Sequence, residues 1–386
     1  GIATQQAETA TQQAEAAESS KAAAAESAKR AEQFAKETEG RVTTDPTLTV
    51  KGAPADAKAV GDRMDISPEK RFTAVEDMLS MCKPDLFSFC TLPSVRFELI
   101  EQAARHGVKG ILFEKPMATS LAEAKRIVDA CRERGIKAVV CHQHKYFEGF
   151  QRLKAMVDRG ELGGIQRITA ECQPWFSQLG THYIDYVIWA NGGNLPAAVA
   201  GHVHGRDLLT DSHPSPDYML GEIVFVNNVR ATVQFGYLSR AYRVHDEDYG
   251  RRRFPIEFWE DDRLTVYGET GYAWAECNGR WGAFTKDTGG KTISGCGNAF
   301  REEMEHPKAQ IAYTEEFLDW MDGVRDSHSC AVATTYAGFE TGVALGLSAL
   351  ENRRVDLPLE TLPQSDEIEM MERLLPECPR RRFDGR

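Results

Sequence analysis

Between residues 73 and 141 the chain alternates short, continuously apolar runs with amphipathic stretches, and that alternation leaves few ways to fold. The expected order is helix 73–82, strand 86–92, helix 94–106, strand 108–113, helix 120–134 and strand 136–141. Runs such as Leu86-Phe87-Ser88-Phe89 and Gly110-Ile111-Leu112-Phe113 have almost no polar face, so both sides must be covered. Strands of that kind, separated by helices, pair in parallel through right-handed crossovers. Gly107 and Gly135 fall where helix ends favour a left-handed residue. Thr119-Ser120 with Glu123 supplies a cap for the third helix. Residues 73–145 are therefore expected to form the C-terminal half of a doubly wound, Rossmann-like parallel sheet.

The texture changes on either side of this segment. After Gly160 come alternating strands at 165–172, 198–204, 219–227, 229–237 and 263–267, then helices near 309–326 and 334–352. Many strands with few crossovers predict an antiparallel sheet with helices on one face, so 146–386 reads as an α+β substrate and oligomerisation domain. Residues 1–40 differ from both: Ala, Gln, Glu, Ser and Thr dominate, and five successive seven-residue units run from 4 to 38. Their alanines fall on one stripe of a helix. That seam buries little area, so a solvated helix and a coiled coil both fit it. A linker follows over 41–72.

A chain of 386 residues exceeds a single compact core. Its formal net charge of -12 repels nucleic acid and anionic bilayers, and the only basic clusters are Arg251–Arg253 and Arg380–Arg382. No apolar run approaches the roughly eighteen residues of a membrane span. Nine cysteines, an odd number with no C-x-x-C pair, point to reduced thiols in a cytoplasm. The first residues carry neither a signal pattern nor a methionine, which suits a trimmed or partial chain.

In open α/β sheets ligands bind outside the carboxyl ends of the parallel strands. The residues there are Thr91-Leu92-Pro93, Glu114-Lys115-Pro116 and His142-Gln143-His144-Lys145. A strand ending in Glu-Lys-Pro, one βα unit after a strand ending in Thr-x-Pro, resembles the glucose-fructose oxidoreductase and inositol dehydrogenase family, Gfo/Idh/MocA. The stretches DRGELGGIQRI (158–168), LGTHYIDYVIWANGG (179–193) and ENRRVDLPLE (351–360) extend the resemblance over about 73–360.

The resemblance implies an NAD- or NADP-dependent oxidoreductase that moves hydride between nicotinamide and a hydroxyl of a sugar, cyclitol or related polyol. It implies that Lys115 contacts substrate and nicotinamide, that His182 exchanges the hydroxyl proton, and that Glu114 touches the cofactor ribose region. Thr91, Pro93 and Pro116 would flank the cofactor, and homo-oligomers would form through the outer face of the second sheet. A histidine suits proton exchange near neutral pH, and an ammonium stabilises a developing alkoxide. The other readings are a surface lysine at a strand end, a core or capping histidine, and a solvated carboxylate. His144 or Lys145 could line the substrate pocket. Asp185 follows His182 by three positions, so it either orients the imidazole or is a plain helix acid.

Several positions depart from the family pattern. Gln178 stands four residues before His182, where the family often has an aspartate, and Arg96 replaces a common histidine. No Gly-rich turn appears before residue 73, and Gly295-Cys296-Gly297-Asn298 reads as a loop. TLTVKGAPADAKAVGD resembles connectors of phage tail-type and bacterial surface proteins. A non-catalytic fusion of such a stalk to a remnant dehydrogenase is therefore the alternative, followed by an NAD-dependent glycosidase. His202 and His204 share a strand face without a third ligand, so no metal is expected.

Overall fold

The computed structural model describes residues 64–206, 215–236, 261–296 and 305–363, together with 62, 209, 238, 239, 370 and 373. The expected heptad helix and most of the linker with its connector-like phrase lie outside the described residues. Two compact units divide at Met78 and Leu79. Helix α1 (Val75–Cys82) crosses that boundary in sequence.

In the second unit, β1 (Leu86–Phe89), β2 (Gly110–Phe113) and β3 (Lys137–Val140) form a parallel sheet in the order β1-β2-β3. Helices α2 (Arg96–Arg105) and α3 (Leu121–Glu133) make the crossovers. The expected caps form: Glu123 N–H donates to Ser120 Oγ at 3.2 Å, and the Glu123 carboxylate accepts from Thr119 N–H at 2.9 Å. Gly107 ends α2 with φ of 75°, a conformation that a Cβ would strain. Strand β1 stops at Phe89 rather than Leu92 because Pro93 has no N–H and opens a tight turn, Pro93–Val95, ahead of α2. The chain at Thr91 is thereby freed from the ladder.

Beyond helix α4 (Glu148–Asp158), the strands are β4 (Ile165–Cys172), β5 (Pro196–His204), β6 (Tyr218–Phe225), β7 (Arg230–Gly236), β8 (Asp262–Gly268), β9 (Tyr272–Ala275), β10 (Arg280–Phe284), β11 (Ile293–Cys296) and β12 (Val355–Asp356). They form one nine-stranded sheet in the order β11-β10-β9-β8-β4-β7-β6-β5-β12. Every pairing is antiparallel except β4 with β7. Gly295 and Cys296 belong to the edge strand β11, which corrects the expectation of a loop. Gly295 permits this because Trp281 covers its Cα side: an added Cβ would lie 2.8 Å from the indole.

Helices α5 (Thr181–Ala190) and α7 (Val332–Glu351) pack against the buried face of this sheet. Gly201 lets β5 approach α7 closely, since a Cβ there would lie 2.3 Å from the Leu345 carbonyl oxygen. Before α7, Ala331 bridges to Val139, and Val140 N–H donates to the Cys330 carbonyl at 3.0 Å. This places Ser329 and Cys330 beside the parallel sheet. Helix α6 (Glu305–Met321) completes a small core there with Tyr313 and Phe317 against Leu112, Val139 and Cys330. Every described cysteine is a free thiol. No helix among the described residues is long and apolar enough to cross a membrane.

Candidate active site

Lys115 and His142 each stand two residues beyond the end of neighbouring parallel strands. Phe113 pairs with Val140, and Cys141 N–H donates to the Phe113 carbonyl at 2.8 Å. The register therefore brings both positions together at the carboxyl edge of the sheet, where such folds bind ligands. Arg96 ties the neighbouring strand ends to this edge. Its buried guanidinium donates to the carbonyls of Thr91 at 2.6 Å, Lys115 at 3.1 Å and Pro116. Burial pulls its pKa down to about 10 against the support of Glu114, so it is charged at neutral pH. Pro116 is buried and joins the site through its carbonyl, whereas Thr91, Pro93 and Glu114 are half-buried along the edge.

The other wall comes from the nine-stranded part. A single wide turn, Phe176–Gly180, with π-type geometry leads into α5, and such turns recur at functional sites. Lys115 Nζ donates to the Gln178 carbonyl at 2.8 Å, with Gln178 Oε1 at 3.5 Å. One helical turn later the buried His182 ring stacks on His144, with centroids 5.1 Å apart and planes at 15°. The His142 ring lies 4.6 Å from the His182 ring, tilted by 43°. His144 Nδ1 in turn meets the buried thiol of Cys277 at 3.2 Å. The structure thus sets Lys115 against Gln178 and His182 against His144.

Two expectations need correction. Asp185 does not orient His182: the group on His182 Nδ1 is the Tyr186 hydroxyl at 2.9 Å. The i+4 position meets the ring, and the i+3 carboxylate is turned away. Asp185 Oδ2 instead accepts from His142 Nδ1 at 2.7 Å and Lys145 Nζ at 2.6 Å. Lys145 does not line a pocket, because it is only 1% exposed and divides its donors between Asp185 and the Ser329 carbonyl. A fully buried ammonium needs such partners. His142 and Arg96 are the residues that sequence reasoning missed as contributors. His142 shares strand alternation with His144, which was the available signal; nothing local marks its carboxylate partner 43 residues away.

Charge follows from this geometry. Burial first, then the repulsion that a positive ring would meet beside His142, His144, Lys115 and Lys145, pushes the His182 pKa well below its ordinary value, so its ring is neutral. Burial also lowers the Lys115 pKa, with Glu114 opposing. Burial works against the Asp185 charge, but Lys145 and His142 outweigh it and hold the carboxyl below its usual range. The sign for His182 is fixed: the unfolded chain binds its proton more readily, so stability falls as pH drops below about 6.5, by up to about 1.4 kcal/mol per pH unit for that one proton. Denaturant unfolding across pH should show a shallower acid-side slope for His182→Asn than for the wild type. Equal slopes would contradict a neutral buried ring.

The site also bears on a nucleotide cofactor. Among the described residues, Thr91 Oγ1, just beyond β1, and Arg96 Nε, at the start of α2, are buried polar atoms without a partner. Unsatisfied buried groups there suit the polar edge of a bound ligand. Among the described residues no cluster of His, Cys, Asp or Glu could hold a metal ion.

A family model described as an oxidoreductase family with an NAD-binding Rossmann fold, GFO_IDH_MocA, matches residues 1–142. The match spans 142 of the chain's 386 residues. The match begins at residue 1, ahead of residue 73, where the recognisable motifs start. An uncharacterized oxidoreductase of Streptococcus pneumoniae is 24% identical over 160 residues, 42% of this chain and 41% of the relative, so this chain spans about two-fifths of that protein. D-xylose dehydrogenase of Paenarthrobacter nicotinovorans is 23% identical over 317 residues, covering 72% of this chain and 78% of the relative. The crystal structure of an oxidoreductase from Agrobacterium radiobacter, in complex with NAD+, L-tartaric acid and magnesium, superposes with a TM-score of 0.63 at 18% identity. It covers 81% of this chain and 93% of that one, which establishes the shared fold.

Proposed function

We propose that this chain is an NAD- or NADP-dependent oxidoreductase acting on a hydroxyl of a sugar, cyclitol or related polyol, with Lys115 and His182 at the reacting centre. The observation that carries the reading is the Lys115 ammonium, held on the Gln178 carbonyl one turn before the His182 ring, at the carboxyl edge of the parallel sheet. Thr91, Pro93, Glu114, Lys115 and Pro116 would hold the cofactor. Bound there, nicotinamide would supply the hydride acceptor. Gln178, His144 and His182 would face the substrate, and the Lys115 ammonium would stabilise negative charge developing on the reacting oxygen. The relatives support the substrate class, since one acts on D-xylose by its name and another binds NAD+. A cytoplasmic homo-oligomer, paired through the exposed sheet face, completes the proposal, with 73–145 and 146–386 as its cofactor and substrate portions.

The test is a fluorescence titration of the full chain with NADH and NADPH, followed by NAD(P)+ reduction with D-xylose, D-glucose and myo-inositol. Saturable binding and reduction with at least one of these is expected. A folded chain that binds neither nucleotide would contradict the reading and favour a non-catalytic fusion. Release of sugar from an aryl glycoside, with no net change in cofactor, would indicate a glycosidase instead.

A further inference from the structure

Oxidation of a hydroxyl releases a proton, and in this site the imidazoles are not equivalent acceptors. His182 faces Lys115, Lys145, His142 and His144, and its Nδ1 partner is the neutral Tyr186 hydroxyl, so nothing balances a positive ring there. His142 is equally buried but has a carboxylate on Nδ1. With Asp185 as acceptor, Nδ1 carries the hydrogen and Nε2 presents the open lone pair. Among the described residues, the hydrogen bond to Asp185 uses Nδ1 and leaves Nε2 uncommitted. Lys145 shares the same carboxylate oxygen and keeps Asp185 ionised.

We propose that His142, backed by Asp185, is the base that takes the substrate hydroxyl proton, with His182 as the neutral ring that holds the hydroxyl in place. This rests on the oxidoreductase reading above. In the step, the substrate O–H bond breaks and an Nε2–H bond forms on His142. The electron pair left on oxygen becomes the second bond to carbon as the C–H pair leaves as hydride to the nicotinamide. The ring becomes positive 2.7 Å from the Asp185 carboxylate, the arrangement by which an aspartate supports an imidazolium in hydrolytic triads. The charged and titratable groups around His142 are Asp185, His182 and Tyr186 from α5, Lys145 from its own turn, whose ammonium shares Asp185 Oδ2, and Cys330, whose Sγ lies 3.7 Å from the His142 carbonyl.

Imidazole 15N NMR of the full chain at neutral pH, with and without NADH, tests the assignment together with His142→Asn and His182→Asn. His142 is expected as the tautomer protonated on Nδ1. His142→Asn keeps a donor for Asp185, and on a polyol from the panel it should lower kcat by about a hundredfold or more with little change in KM. His182→Asn should act mainly on KM. An Nε2-protonated neutral His142, or a kcat within about threefold of wild type in a His142→Asn protein that still binds NADH, overturns the proposal. A wild type that binds no nucleotide overturns the oxidoreductase reading instead, and the tautomer measurement still decides whether the Asp185–His142 pair is set up as a base.

Discussion

Lys115→Met should lower turnover by about a hundredfold to a thousandfold, the range found when a donor aimed at developing negative charge is removed. Methionine keeps the length and apolar stem, so the change is confined to the ammonium and its hydrogen bond to the Gln178 carbonyl. Lys115 is half-buried, and burial already lowers its pKa, so its charge acts in a medium that screens poorly. Lys115→Arg should not rescue the rate. A planar fork cannot occupy the point position of an ammonium wedged between a strand end and the turn at Gln178. The loss is expected in kcat more than in KM, because the interaction strengthens as charge builds on oxygen. Steady-state rates on a polyol that the wild type turns over, with NADH affinity measured on the same samples, would check this. A kcat within about threefold of wild type in Lys115→Met would remove Lys115 from the reacting centre.

The largest effect on stability is expected at Lys145. Both members of the Lys145–Asp185 pair are essentially without solvent contact, and Asp185 Oδ1 has no further partner. Lys145→Met leaves that carboxylate with His142 alone and the Ser329 carbonyl without its donor. Breaking one side of a buried ion pair costs about 3–5 kcal/mol. Adding Asp185→Asn removes the stranded charge, so the double variant should be more stable than the Lys145→Met single variant. The mutant cycle would then show strong coupling between the two sites. Denaturant unfolding gives all four stabilities. A Lys145→Met loss below about 1 kcal/mol would show that the pair is not the closed contact described above.

What was legible in the sequence was whatever is encoded locally. Glu114-Lys115-Pro116 follows an apolar run that can only be a buried strand, so its place at the carboxyl edge follows from position alone. His182 sits in a helix whose sequence is apolar almost all round, which marks a buried element. The partners of Asp185 were not legible, because helix spacing gives neighbours on α5 and says nothing of a strand end 43 residues away. For the same reason Lys145 read as a pocket residue, although tertiary contact places it in the core. Strands β9 to β11 escaped because Trp274, Gly282 and Gly295 interrupt the apolar alternation. In the fold each glycine accommodates an indole from the next strand: Gly282 lies under Trp274 and Gly295 under Trp281. Helix α4 was hidden by its charged positions Glu148, Arg152, Lys154 and Asp158, with only Phe150, Leu153 and Met156 among its large apolar residues fully turned inward.

The most direct test of the account is a crystal structure of the full chain with NADH. The nicotinamide ring should lie against Thr91–Pro93 and Glu114–Pro116, with its reactive face toward the Lys115 ammonium and the imidazoles of His142 and His182. A nicotinamide bound elsewhere on the molecule, with the space between Lys115 and His182 closed to it, would contradict the account.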